Sequence, residues 1–378
     1  MKITNFNSSR QFLGSVLDKL MKFWTWALLI LLVILIKFSS SYSGFIEHYY
    51  SNGIYPVISK IQRILLGWIP FSAGDLLYGF FIFVLFVKAW QVVKTLFKRR
   101  LNRQYLLTGL KQIIFFFLLV YVFFYLLWGL NYSRKGIARQ LDLKMTSYTL
   151  GELDTLTNIL EQRLNYYASL VKSAQRDSFY KKKNLFHESY EAYSLANQQY
   201  SFLKYQPRSI KPSLYSYAGN VLGFEGYYNP FSGEGQVNTT VPVFEQPFVA
   251  CHEIGHQVGY AKENEANFAG FLACRLHPSP VFRYSVYFDM YNYSINELYR
   301  NDSSIARKYI DSLHPQVKKD YEELRKFFKK YRNPIEPVIT WMYGKYLQAN
   351  NQPAGRRTYS EVIAFLIAYQ RKFGVQSL

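Results

Sequence analysis

Three long apolar stretches occupy the first third of the chain, at about residues 21–38, 76–93 and 113–130. Each holds about 18 residues, which at a rise of ~1.5 Å per residue is long enough to cross the apolar core of a bilayer. Buried helices of a soluble core are one alternative, and a cleavable signal peptide is another for the first stretch. The flanking charges and the lack of a small-residue cleavage motif favour three retained membrane spans.

The positions of Lys and Arg predict the orientation of these spans. The loop between the second and third spans is densely basic, the N-terminal tail (residues 1–20) is basic too, and the segment between the first two spans has few basic residues. Because basic loops remain in the cytoplasm, we expect a cytoplasmic tail and an extracytoplasmic domain over residues 131–378. In a bacterial cell this describes a multi-pass protein of the inner membrane whose C-terminal domain lies in the periplasm.

Beyond the spans, the pattern first becomes helical. Leucine and isoleucine recur every three or four residues from Leu150 to Leu164, and Thr149 or Gly151 can open this helix. A second helical stretch is predicted over residues 187–203.

Composition then changes over residues 207–247, where glycine, proline and tyrosine are frequent. This pattern predicts loops and short strands. Helical periodicity returns near residue 248 and includes residues 317–331, 337–349 and 359–373. The predicted fold is therefore mainly α, with three transmembrane helices and a soluble α+β domain that is mostly helical with a small sheet.

The formal net charge of +20 raises the question of a polyanionic partner. Basic runs at residues 98–100 and 181–183 are explained by membrane topology and by a solvated loop, and no motif that reads nucleic-acid grooves is found. We therefore expect no nucleic-acid partner. The two cysteines, Cys251 and Cys274, are too few for a disulfide scaffold, although a single bridge between them is a hypothesis.

The strongest chemical signal is the sequence His252-Glu253-x-x-His256. Residues four apart lie on one face of a helix, so both imidazoles can bind one metal ion while Glu253 lies beside them. Zinc in such a site acidifies water and polarises a carbonyl, and the glutamate acts as general base and then as general acid. A pair of ordinary core histidines is the alternative.

A catalytic zinc ion needs a third protein ligand and an open fourth position. Glu263 and Glu265 are the candidates, at the start of the next amphipathic helix. In one straight helix, Glu263 would lie about 10.5 Å along the axis from His256, too far for shared ligation. We therefore expect the helix to break at Gly259 and the chain to fold back.

The segment Glu263-Asn264-Glu265-Ala266-Asn267 resembles the glutamate helix of gluzincin metallopeptidases. This resemblance implies a zincin-like domain in which Glu263 binds zinc and Asn267 supports a ligand histidine, with Glu265 as the second choice for the ligand. The connection between the two helices is shorter than is usual in gluzincins.

The whole chain also resembles a bacterial membrane family known only as domain of unknown function 3810. The resemblance rests on the three spans and on four further segments: residues 128–132, 226–231, 251–271, and 346–350 together with Tyr359 and Ser360. It implies a zincin-like domain and no established substrate.

These features predict a membrane-anchored zinc metallopeptidase that hydrolyses peptide bonds outside the cytoplasm, with protein or peptide as substrate and the bilayer as partner. A non-catalytic envelope protein with a structural zinc ion or an interaction role is the alternative. An intramembrane protease is disfavoured because residues 239–262 are rich in polar and charged side chains. Residues 236–242 are a candidate for an edge strand that pairs with an extended peptide, and an ordinary sheet strand is the alternative.

Overall fold

A computed structural model describes residues 4–100 and 102–378, with side chains from residue 21 onward. The chain is mainly helical. The helices, in chain order, are α1 (Thr4–Ser40), α2 (Ser43–Phe45), a π-helical segment (Ile46–Ile54), α3 (Tyr55–Leu66), α4 (Ala73–Phe97), α5 (Arg103–Leu127), α6 (Gly136–Gln140), α7 (Leu150–Leu170), α8 (Ser173–Ser178), α9 (Lys182–Gln199), α10 (Ser216–Leu222), α11 (Gln246–Gln257), α12 (Glu263–Cys274), α13 (Pro280–Asn301), α14 (Ser303–Asp311), α15 (Pro315–Tyr331), α16 (Glu336–Ala349) and α17 (Val362–Phe373).

Three helices are long and apolar enough to cross a membrane, namely Met21–Ser40 within α1, α4 and α5. Their side chains are largely exposed on the protein, as expected of helices that face lipid. Ser72 caps α4 by accepting from the backbone N–H of Asp75, and Asn102 caps α5 in the same way. The last of the three, α5, begins about ten residues before the span predicted at residues 113–130, and it ends at Leu127, before Trp128. The side chains of the predicted tail, residues 1–20, lie outside the described part of the chain.

The helices predicted from periodicity are confirmed at α7, α9, α15, α16 and α17. At the start of α7, Thr149 accepts a hydrogen bond from the backbone of Glu152, whose side chain accepts from the backbone of Thr149. This reciprocal cap satisfies donors that would otherwise be free at a helix start, and it explains why the helix begins there. Within residues 207–247, the helix α10 was not predicted, because it has only seven residues and lies among loops.

The small sheet has the strand order β1 (Ile210–Pro212), β3 (Glu234–Val237), β2 (Gly226–Asn229). β1 pairs with β3 in parallel, and β2 pairs with β3 antiparallel. β3 is therefore the central strand. Of the candidate edge strand over residues 236–242, only Gln236 and Val237 lie in a strand, and they are paired on both sides, so the alternative of an ordinary sheet strand holds for these two residues.

The segment between the first two spans packs against the C-terminal helical region. Glu47 forms an ion pair with Arg134 at 2.9 Å, and the hydroxyls of Tyr55 and Ser59 donate to the carbonyl oxygen of Gln257. Residues 43–66 and the chain after α5 therefore lie together, as three crossings of a membrane require. The predicted domain limit at residue 131 leaves this segment out, although it contacts the helix that carries the histidine motif.

Candidate metal centre

The histidine motif lies on α11, which is buried along its whole length. α12 runs back along it, since Gly255 faces Ala266 while Gly270 faces His252. A Cβ atom on Gly255 would lie 3.1 Å from the carbonyl oxygen of Ala266, and one on Gly270 would lie 3.2 Å from the backbone nitrogen of His252. The two glycines therefore permit the close approach of the helices.

A tight turn brings the start of α12 back to the histidines. α11 ends at Gln257, Gly259 has a φ of 99°, and α12 begins at Glu263. Glycine adopts this positive φ far more readily than other residues do. The predicted break at Gly259 is therefore confirmed.

Three potential ligand atoms converge at this turn. The Nε2 atoms of His252 and His256 lie 3.3 and 3.4 Å from Oε2 of Glu263, and all three side chains are buried. In a tetrahedral zinc site with metal–ligand distances of about 2.0–2.1 Å, neighbouring ligand atoms are about 3.3 Å apart. The spacing therefore fits a single divalent ion held by these residues.

Each imidazole is oriented by a hydrogen bond at its other nitrogen. Nδ1 of His252 lies 2.7 Å from Oδ1 of Asn267, and Nδ1 of His256 lies 2.7 Å from the carbonyl oxygen of Tyr260. The amide nitrogen of Asn267 donates to the carbonyl of Tyr359, so its oxygen faces His252 as an acceptor. Both Nδ1 atoms therefore carry hydrogens. In the neutral rings the two Nε2 lone pairs point toward Glu263, as ligation requires.

Two lone pairs and a carboxylate repel one another unless a cation lies between them. In the protein without metal, a proton takes this role. Burial acts to lower the pKa of His256, but the charge of Glu263 and its hydrogen bond raise that pKa to about 9. Burial lowers the pKa of His252. Burial acts to raise the pKa of Glu263, but the neighbouring histidines outweigh it and hold the pKa well below its usual range.

Two tyrosines complete the surroundings of the ligands. The hydroxyl of Tyr343, on α16, donates to Oε1 of Glu263 at 2.7 Å. The ring of Tyr359 stacks on His252 at a centroid distance of 6.1 Å, and its hydroxyl lies 3.3 Å from that of Tyr343. Sequence reasoning assigned no role to Tyr343 and used Tyr359 only as one of the residues that carry the family resemblance. With 34 tyrosines in the chain and about 80 residues between Tyr343 and Glu263, no local signal connects either residue to the metal site.

Glu265, the alternative third ligand, points away from the histidines. Its carboxylate lies against Gly136, where a Cβ atom would be 1.6 Å from Oε1. Gly136 has a φ of 73°, so this close approach needs glycine for its backbone conformation as well as for space. Burial raises the pKa of Glu265, opposed by the charges of Lys262 and Arg134. Glu263 is thus the glutamate that the structure brings to His252 and His256.

Glu253 lies on the wall of an open cleft of about 970 Å³, which His252 also lines. Its Oε2 atom is buried without a hydrogen-bond partner. A Cβ atom on Gly226 would lie 2.5 Å from Oε1, so the glycine leaves room for the carboxylate. Burial, opposed by His256 and assisted by the charge of Glu263, raises the pKa of Glu253 to about 8. An unpartnered carboxyl group with such a pKa can exchange a proton near neutral pH.

Residues next to the ends of the candidate membrane spans hold the C-terminal end of α11. The side chain of Arg63 joins Tyr55 and Ser59 in donating to the carbonyl of Gln257, and Nε1 of Trp128 donates to the carbonyl of His256 at 3.1 Å. A helix end leaves such carbonyls without intrahelical partners. Trp128 is only 4% exposed, so its side chain packs inside the protein.

The two cysteines are free and buried. The hypothesis of a disulfide between Cys251 and Cys274 is therefore wrong for this structure.

The sequence profile of a family described as protein of unknown function (DUF3810) matches residues 50–367. This match covers most of the chain. The chain belongs to the DUF3810 family. The comparison with curated proteins found no match, and neither did the comparison with solved structures.

The segments on which the family resemblance rests meet around the candidate metal centre of this DUF3810 protein. Trp128 contacts the end of α11, Gly226 adjoins Glu253, and Tyr359 stacks on His252. Asn350, which follows α16, accepts a hydrogen bond from Tyr125 at the end of α5. Segments far apart in sequence therefore build one site beside the ends of the membrane helices.

Proposed function

We propose that this protein is a membrane-anchored, zinc-dependent hydrolase with a zincin-like domain, in which His252, His256 and Glu263 bind the metal and Glu253 moves the proton. The observation that carries the proposal is the spacing of the three ligand atoms, 3.3 and 3.4 Å, beside an unpartnered glutamate in an open cleft. Such an ion supplies Lewis-acid chemistry, polarising a carbonyl and acidifying water.

The residues of the chain account for the remaining steps. Asn267 and the carbonyl of Tyr260 fix the histidine rings, and Tyr343 fixes one oxygen of Glu263. Glu253 accepts the proton of the attacking water and returns it to the leaving amine, which suits a carboxyl group with a pKa of about 8. The mechanism is general acid–base catalysis by one glutamate.

The proposed substrate is an extended peptide. β2 pairs with β3 along one side, and its other side pairs with no strand in the described sheet. Gly226, the first residue of β2, lies against Glu253 and lines the cleft. A peptide that added to this free edge would pass beside the glutamate. In this proposal β2, and not residues 236–242, is the edge strand that pairs with the extended peptide.

We propose that the site lies outside the cytoplasm of a bacterial cell. One support is the basic loop between α4 and α5, which is expected to remain in the cytoplasm. The other is the packing of residues 43–66 against the C-terminal region, at the end of the three helices opposite to this loop. Reporter fusions after residues 70, 100 and 378 test this topology. A reporter that is active in the cytoplasm when fused at the C-terminus would contradict it.

Metal analysis and a peptide-library cleavage assay on the purified full chain test the function. The wild type is expected to hold one zinc ion per chain and to cleave peptides. Glu253→Gln is expected to keep zinc and lose cleavage, because it retains the shape of the side chain but cannot accept a proton. His256→Ala is expected to lose both.

Glu265→Gln is the matched control, an equally conservative change on α12 at a glutamate that does not reach the histidines. It is expected to keep zinc and activity. Full cleavage by Glu253→Gln would refute the mechanism. Stoichiometric zinc without cleavage of any library peptide by the wild type would favour a structural metal site.

A further inference from the structure

α3 has its polar side inside and its apolar side outside. Tyr55, Ser59 and Arg63, which are buried, all bond to the carbonyl of Gln257. The opposite face carries four large aliphatic side chains that are 51–62% exposed: Val57, Ile61, Ile64 and Leu65. A helix of a water-soluble domain shows the reverse arrangement. The outer face of α3 therefore calls for an apolar environment.

α16 also carries an exposed apolar face. Its inner face holds Leu347, which is fully buried, and Tyr343, which donates to Glu263. Its outer face, together with the residue before it, carries four large apolar side chains that are 55–64% exposed: Ile335, Val338, Trp341 and Met342. No protein element of the described chain covers these side chains.

Both helices lie beside the ends of the membrane helices. α3 is part of the 32-residue connection between α1 and α4, and Trp68, just after α3, is 78% exposed. At the other end of α16, the ring of Tyr346 lies 6.4 Å from that of Phe124 in α5, and Asn350 accepts from Tyr125. The helix α3 and the C-terminal end of α16 are thus next to helices long and apolar enough to cross the lipid, where tryptophan is often found at the interface.

Basic residues come just before the apolar face of α16 in the sequence. Lys329, Lys330 and Arg332 are exposed, and none of them forms an ion pair within the described residues. Lys329 and Arg332 also line the cleft. Basic residues beside an exposed apolar helix face attract anionic lipid headgroups while the apolar side chains enter the acyl boundary.

We propose that the outer faces of α3 and α16 lie in the interfacial layer of an anionic bilayer, on the side of the membrane where the site is. α16 is also part of the cleft, because Glu336 lines it and Tyr343 bonds to Glu263. The cleft is therefore held at the membrane surface. If the proposed hydrolase function is correct, its substrates are polypeptide segments a short distance from a membrane anchor.

Depth-dependent fluorescence quenching tests the lipid contact without reference to catalysis. Met342→Cys and Ile64→Cys are labelled with bimane in the full chain, since Cys251 and Cys274 are buried and do not compete for the label. The proteins are reconstituted into vesicles of phosphatidylglycerol and phosphatidylethanolamine that carry doxyl-labelled acyl chains. Tyr180→Cys, at an exposed residue between α8 and α9, is the matched control.

Strong quenching at residues 342 and 64, with little at residue 180, is the expected result. Quenching at 342 and 64 no greater than at 180 would overturn the proposal, and a signal at only one position would overturn it for the other helix. Raising the ionic strength is expected to reduce quenching at 342, because it screens the attraction of the basic residues to the headgroups.

The substrate class has a separate test with one peptide presented free in solution or attached to a lipid in the same vesicles. Trp341→Ser is expected to reduce cleavage of the anchored peptide and to leave cleavage of the free peptide unchanged. Equal effects on the two peptides would overturn the substrate assignment. Failure of the wild type to cleave either peptide would count against the hydrolase, whereas the quenching result would still decide the lipid contact.

Discussion

Zinc binding at this site is expected to release a proton, so the affinity should rise with pH. A histidine must lose its proton before it can bind zinc. His256 has a pKa of about 9 in the absence of metal, because the charge of Glu263 outweighs burial. At pH 7, two units below this pKa, removing the proton costs about 2.7 kcal/mol, which corresponds to roughly a hundredfold loss of affinity relative to pH above 9.

Competition with a chelator of known affinity, on the full chain in detergent from pH 6.5 to 9.5, measures this effect. Glu253→Gln is the best background, because Glu253, with a pKa of about 8, could release a second proton. That variant also lacks the charge of Glu253, which helps to raise the pKa of His256, so the logarithm of the affinity should rise by about one per pH unit from pH 7 and level off somewhat below pH 9. An affinity that is constant between pH 7 and 9 would refute the reasoning.

The double variant Glu253→Gln/Glu263→Gln tests whether the charge of Glu263 is what raises the pKa of His256. Without the two carboxylate charges, burial is opposed mainly by the hydrogen bond to the carbonyl of Tyr260, and the pKa of His256 should fall. Zinc should then bind more weakly at high pH, because a ligand is lost, but the pH dependence between 7 and 9 should flatten. The same slope with and without the charge of Glu263 would show that this glutamate does not set the pKa of His256.

Three further outcomes follow from the structure. Tyr343→Phe should weaken zinc binding about tenfold by removing a hydrogen bond to the third ligand, whereas Tyr346→Phe should not; equal effects in chelator competition would contradict this. Arg134 and two backbone N–H groups outweigh burial and lower the pKa of Glu47 below 4.5. The stability from this pair is therefore present at neutral pH and lost as the pH falls through the lowered pKa. Glu47→Gln should lower the melting temperature at pH 7, and the difference from the wild type should shrink as the pH falls below 4.5. Gly255→Ala should cost about 1–3 kcal/mol through overpacking, and an unchanged denaturation midpoint would argue against the close helix contact.

The sequence alone identified the two histidines of the candidate metal site, because the pattern that identifies them is local. Residues four apart on a helix share a face, so His252 and His256 could be placed together without knowledge of the fold. The need for a second ligand helix and the property of glycine at positive φ then located the turn at Gly259. The prediction of the three candidate membrane helices also rests on local information, since each depends only on the length and apolarity of a continuous run of residues.

Local sequence information could not decide between Glu263 and Glu265 as the third ligand. Both glutamates lie in the first turn of α12, and their side chains point to different sides of it. Which side faces the histidines depends on how α12 packs on α11, and the space that Gly136 leaves for Glu265 comes from a different part of the chain. Periodicity carries no information about such contacts, and the resemblance to gluzincins supplied what the spacing could not.

Tertiary structure also decided what surrounds the site. Tyr343, Tyr359, Trp128 and Tyr55 reach the metal-site residues from 80 to about 200 positions away in the sequence. Likewise, the position of β3 inside the sheet depends on partners on both sides. The sequence determined which elements are long and apolar enough to cross a membrane and which helix can hold a metal, because those properties follow from neighbouring residues. Only packing determined that the membrane-proximal segments and this helix form one structure, because contacts over such distances are fixed by the fold as a whole.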